Sequence, residues 1–273
     1  MKKKLSKVYL LVAAICFISS PNAFGQDAGR KTQGYPRLMI GLTGGVSMPF
    51  GKFAQTVYCN DATTSSAGAI PTVNYNTGSG FAGIGGNGGV TATYFINKHW
   101  GIAELFSYQQ FSNTGGQNMA LGMQAFPGGF DVDSVTFRFM GKNQTFNMLI
   151  GPVYSISLAK KLDIDFRLLV GFVNASLTGN SMTLTDGGVT DPTFYQAVSW
   201  ANSFGGQLGA AIRYSISDHI GIALNADFFY SKPDFTVNNI NRVNTNGREI
   251  YSYDEPIEGI NGNLTVYYVL NHK

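Results

Sequence analysis

Apolar residues recur at every second position along most of this chain, the period of a strand whose successive side chains point to opposite faces. Arg37 to Met48 sets Leu38, Ile40, Leu42, Val46 and Met48 against Arg37, Gly41, Thr43, Gly45 and Ser47. The same alternation predicts strands over Gly88 to Ile96, Gly101 to Phe111, Thr145 to Ser157, Leu162 to Ala175, Ser203 to Ile216 and Ile220 to Tyr230, with a last one carrying Leu264, Val266, Tyr268 and Leu270. In the third of these segments Glu104 falls in phase with Ile102, Phe106 and Tyr108, so one face is mixed.

Connections alternate as well. Tight turns at Asn97-Lys98-His99, Ala159-Lys160-Lys161 and Ser217-Asp218-His219 join strands two to three, four to five and six to seven. Long polar, glycine-rich stretches lie between them: Pro49 to Gly86, Ser112 to Asn143, Ser176 to Asn202 and Ser231 to Gly262. Short turns at one end and long loops at the other are what a membrane-spanning up-and-down barrel shows, and a soluble sandwich has no cause to keep that asymmetry. The expected fold is therefore all-β: an eight-stranded antiparallel transmembrane barrel with short periplasmic turns and long extracellular loops.

Aromatic residues group by height. Tyr94, Trp100, Tyr154, Tyr214 and Tyr268 lie near the short turns, and Phe111, Phe146, Phe172, Phe204, Phe228 and Tyr230 near the long loops, as two interfacial girdles would. Alternation also appears inside two loops, at Val135, Phe137 and Phe139 and between Phe235 and Tyr253 around a turn-like Asn244-Thr245-Asn246-Gly247. Strands continuing beyond the membrane as a protruding sheet with an exposed edge are expected there.

The first residues read differently. Lys2, Lys3, Lys4 and Lys7 precede an apolar run from Val8 to Ile18, and Ser19-Ser20-Pro21 ends it. The run is short of the roughly 20 residues a spanning helix needs, so residues 1–25 are read as a secretory signal cut after Gly25, against the alternative of a retained helix. Residues 26–36 then form a short periplasmic lead-in, and 37–273 the barrel, in the outer membrane of a Gram-negative cell. Cys16 leaves with the signal and lacks the small preceding residues of a lipidation site; Cys59 alone remains, so no internal disulfide can form. Four of the 19 basic residues depart and none of the 16 acidic ones, which turns the net charge slightly negative and excludes nucleic-acid binding.

The segment Tyr94-Phe95-Ile96-Asn97-Lys98-His99-Trp100-Gly101-Ile102-Ala103-Glu104-Leu105, with Phe166 to Phe172 and the Tyr214 to Leu224 hairpin, resembles the OmpA/OmpX-type outer-membrane barrel family, especially its Bacteroidetes forms. The resemblance spans nearly the whole processed chain. It departs at the end, where Leu270-Asn271-His272-Lys273 replaces the usual terminal aromatic and no peptidoglycan-binding domain follows.

An eight-stranded barrel has an interior that side chains just fill, so charges placed there must pair. Arg37, Glu104, Asp163, Asp165, Arg167, Arg213 and Asp227 are read as such a structural lumen network. Catalysis finds little footing: His99 and His219 fall in periplasmic turns and His272 at the C-terminus, away from the outer rim where lipid or protein substrates arrive. Gly78-Ser79-Gly80-Phe81-Ala82-Gly83 matches a dinucleotide pattern but lacks its flanking strand and helix, and Asp131 with Asp133 could hold a hard cation but reads as a solvated surface pair. No cofactor or metal is expected. The expected role is a non-enzymatic, monomeric envelope protein that contacts outer-membrane lipid and lipopolysaccharide, meets the assembly machinery during insertion, and displays loops for adhesion or ligand binding. A narrow solute channel and a membrane-lipid-modifying enzyme are the alternatives.

Overall fold

The computed structural model describes residues 38–55, 80–114, 134–186, 189–241 and 247–270. Thirteen strands and one short helix form among them: β1 Leu38–Pro49, α1 Gly51–Ala54, β2 Ala82–Phe95, β3 Trp100–Asn113, β4 Ser134–Phe139, β5 Asn143–Ala159, β6 Leu162–Leu177, β7 Asn180–Asp186, β8 Val189–Gln196, β9 Ser199–Ser215, β10 Ile220–Ser231, β11 Asp234–Asn241, β12 Gly247–Asp254 and β13 Ile257–Leu270. Eight of them close into a barrel in the order β1-β13-β10-β9-β6-β5-β3-β2. Every neighbouring pair is antiparallel, and the seam is the pairing of β1 with β13 from Leu38↔Leu270 to Pro49↔Gly259.

Closure follows from what hydrocarbon permits. Every backbone N–H and C=O in a lipid core needs a protein partner, and only a sheet with no free edge supplies one to each strand. The side chains sort accordingly. Leu42, Leu168, Leu208, Leu224, Leu264 and Val266 are at least half exposed on the outer wall, while Met39, Thr93, Asn147, Leu169, Gln207, Asn225 and Thr265 are buried inside. An apolar exterior around a partly polar interior is the inverse of a water-soluble fold and fits a lipid solvent. The girdles sit at both rims: Trp100 packs against Tyr154 at 4.8 Å at one end, and Phe50 against Phe228 at 5.6 Å at the other.

The remaining five strands form a second sheet in the order β12-β11-β8-β7-β4. These strands extend β13, β10, β9, β6 and β5 in the same spatial order, so that part of the barrel wall continues outward past the long-loop rim. β4, β11 and β12 coincide with the alternation seen in the loops; β7 and β8 occupy a stretch expected to be irregular. The barrel strands also run past their expected ends toward that rim, β2 and β9 by four residues or more and most of all β13, which begins at Ile257. Two expectations are corrected. Glu104 faces the outer wall, because Ala103, Leu105 and Ser107 are the buried positions of β3 and Glu104 alternates with them. Phe111 lies at the expected height but points inward, 1% exposed.

Candidate functional site

The lumen contains two charge clusters, each built by register. Antiparallel pairing puts Asp163 opposite Arg213, Asp165 opposite Ala211 and Ala223 opposite Arg213, so the Arg213 side chain has both aspartates within reach on the inner face. Its guanidinium donates to both oxygens of Asp165 at 2.9 and 3.2 Å, lies 3.1 Å from Asp163 Oδ2, and donates to the Ser155 hydroxyl at 3.1 Å. The Phe95 and Tyr267 rings flank it at 5.5 and 5.9 Å, adding cation–π attraction. One cation thus links β6, β9, β5, β2 and β13.

Higher in the barrel Arg167 makes a two-pronged ion pair with Asp227, Nε to Oδ1 at 2.9 Å and a terminal nitrogen to Oδ2 at 2.7 Å. The Asp227 side chain is fully buried, and Asn263 adds a longer contact at 3.4 Å. Asp227 reaches across because Gly209 leaves room: a Cβ there would collide with its carboxylate oxygen. Around the two clusters, Asn225 donates to Thr265 at 2.8 Å, Ser47 to Asn261 at 2.6 Å, and Asn147 to Ser107 at 3.1 Å. The spaces beside Arg167 and Arg213 are small. A cavity of about 50 Å³ lies among Arg167, Arg213, Thr93 and Tyr267, and another of about 10 Å³ on the other side of Arg167, enough for a few waters and one water respectively.

The outward mouth is closed by apolar packing. Phe53 of α1 is 1% exposed and meets Phe111 edge-on at 5.0 Å, with Phe229, Phe235, Val237 and Ile257 buried in the same cluster. Gly51 begins α1 at φ 59°, a backbone only glycine adopts freely, and a Cβ there would collide with the Glu258 carboxylate. Asn143 ties the cap down, donating to the Gly80 carbonyl at 2.9 Å and accepting from the Thr178 N–H at 2.9 Å. Glu255, between β12 and β13 and above the upper girdle, is 1% exposed, and its Oε1 has no partner among the described residues. Burial pushes its carboxyl up to about 8; Lys52 pulls it down and Glu258 pushes it further up.

A carboxyl raised in the folded state from an ordinary 4.5 toward 8 favours folding most when protonated, so its contribution is whole below about pH 4.5 and lost as pH rises to about 8. Chemical denaturation of the wild type should therefore have a lower midpoint at about pH 9 than at about pH 5, with an unfolding free energy smaller by on the order of a few kcal/mol. Glu255→Gln should flatten that dependence; an unchanged pH profile would show that the carboxyl is solvated.

Of the sequence-derived network, Asp163, Asp165 and Arg213 are brought together, and Arg167 with Asp227, while Glu104 stands outside on the lipid face and Arg37 lies outside the described residues. The signal segment, Asp131, Asp133 and His272 also lie outside them. His99 and His219 sit in the short turns; the His99 Nδ1 donates to the Ser155 carbonyl at 2.9 Å, and His219 packs on Tyr268 at 6.0 Å. Within the glycine pattern, Gly80 accepts from Asn143 and Gly83 lies in β2, so those residues serve the cap and the wall. Sequence reasoning missed Phe53, Asn143 and Glu255, whose roles come from contacts between distant segments.

No family model and no curated protein matches this chain. Solved structures similar to it include a major outer membrane protein from Thermus thermophilus, at 13% identity over 85% of this chain and 99% of that one with a TM-score of 0.49. Neisserial surface protein A is similar at 11% identity over 85% and 96% with a TM-score of 0.37, and Ail, the attachment invasion locus protein of Yersinia pestis, at 11% over 84% and 99% with a TM-score of 0.34. Likeness at this level carries no inference about function. The chain's own geometry identifies it as a membrane-spanning eight-stranded β-barrel.

Proposed function

We propose that this protein is a non-enzymatic component of a Gram-negative outer membrane, a sealed barrel that strengthens the envelope and holds an extracellular sheet as a surface for adhesion or ligand binding. The observation that supports this most directly is the filled interior: among the described residues two cross-lumen ion clusters are flanked by water-sized cavities, and the Phe53–Phe111 contact packs the outward mouth. Among the described residues, an interior so filled leaves no wide path for solute. The outward continuation of part of the wall supplies a rigid platform instead. Finer kinship with the OmpA/OmpX type belongs to this proposal and rests on the strand-turn-strand residues Tyr94 to Leu105.

Planar-bilayer recording on the purified barrel tests it. No steady single-channel current is expected; a large and persistent one would mean that the ion clusters open and that solute passage is the function. Expression in cells with mass analysis of lipid A tests the enzymatic alternative, and a new modified species would overturn the proposal.

A further inference from the structure

The lipid-facing band ends in a polar row. On the outer wall Asn174 donates to Asn202 at 2.6 Å across β6 and β9, just past the girdle residues Phe172 and Phe204. Beyond that row the wall turns apolar again: Trp200 is 59% exposed, Val198 47% and Tyr195 39%. Trp200 lies four residues along the strand from Phe204, roughly 13 Å at 3.3 Å per residue and about 10 Å above the girdle on a tilted strand, within the headgroup layer.

Two cations stand near the same face. Gln144, Ser176 and Trp200 form one row on the outer side over β5, β6 and β9, with Ser176 covered by its neighbours. Arg138, Ser181 and Tyr195 form another over β4, β7 and β8. Lys142 immediately precedes β5, two residues before Gln144. Arg138 and Lys142 are exposed, and neither forms an ion pair with another described residue. Two strand spacings are about 10 Å, so Arg138 stands that far from Tyr195, and Lys142, two residues beyond the row of Trp200, stands roughly 12 Å from that ring.

Resting on the outer-membrane reading above, we propose that Arg138, Lys142, Tyr195, Val198 and Trp200 form a binding surface for the phosphorylated sugar headgroup of an outer-leaflet glycolipid. The patch continues the lipid-facing wall, so what it meets is whatever stands above the acyl chains. Sugar rings present apolar faces that aromatic side chains cover, and phosphates are met by guanidinium and ammonium groups. The patch combines both chemistries.

The test uses the full processed chain carrying Trp100→Tyr, which leaves Trp200 as the only tryptophan, in phosphatidylcholine nanodiscs. Added short-core lipopolysaccharide should blue-shift Trp200 emission saturably. Arg138→Ala with Lys142→Ala should weaken the response at least about tenfold, and dephosphorylated lipopolysaccharide should do the same. An equal response to phosphatidylglycerol, an undiminished response in the double variant, or no response at all would overturn the proposal. Failure of the barrel to insert, seen as absent heat-dependent gel mobility, would instead count against the outer-membrane reading itself.

Discussion

Asp227→Ala is expected to lower the unfolding free energy of the barrel in detergent by about 3 kcal/mol, because it leaves a largely buried guanidinium without its partner. Arg167 cannot shed its proton, and its side-chain hydrogen bonds at 2.9 and 2.7 Å both go to Asp227. The cavities on either side admit only a few waters to the freed charge, far short of bulk hydration. Urea titration in micelles, followed by tryptophan emission or by loss of heat-dependent gel mobility, measures the change. Replacing the pair together, with Arg167→Met and Asp227→Leu, should recover most of the loss, since removing both charges removes both desolvation costs. Gly209→Ala should mimic the single mutant by evicting the carboxylate. A loss below about 1 kcal/mol in Asp227→Ala would place this pair among solvated ones and show a wet lumen.

Arg213→Ala carries the second large effect. It frees Asp163 and Asp165 from their common partner and leaves two carboxylates side by side on the inner face of β6. A loss of about 3–5 kcal/mol is expected, read as before. Lysine should recover under half of it, because a point charge cannot make the paired contact with Asp165 or lie between the Phe95 and Tyr267 rings as a planar group does. Full recovery by lysine would mean that charge alone, without the fork geometry, holds this end of the lumen together.

The barrel was readable because lipid and lumen impose opposite demands on alternate residues. β6 shows this plainly, with Ile164, Phe166, Leu168 and Val170 outside and Asp163, Asp165 and Arg167 inside. β3 defeated the same logic: Ala103 and Leu105 face inward and Ile102 and Phe106 outward, so both faces are apolar and period alone cannot say which is the lumen. The error on Glu104 follows from that ambiguity, resolved only by register against Ala92 and Ile150. Glycine and asparagine in Ile257 to Gly262 and Ala82 to Gly86 looked like loop, yet these stretches are wall. Pro192 and the Asp186-Gly187-Gly188 run hid β7 and β8 in the same way. The Phe53 cap and Glu255 had no local signal, since each is defined by packing between segments far apart in the chain.

The seam between β1 and β13 joins the two ends of the described chain through a continuous run of paired residues. Each hairpin before it needs only near neighbours to form, but the first and last spans remain open-edged until they meet. The barrel therefore carries its clasp in its first and last strands: its edges in hydrocarbon are satisfied only once β13 meets β1, and a chain stopped before Ile257 would have no latch to close.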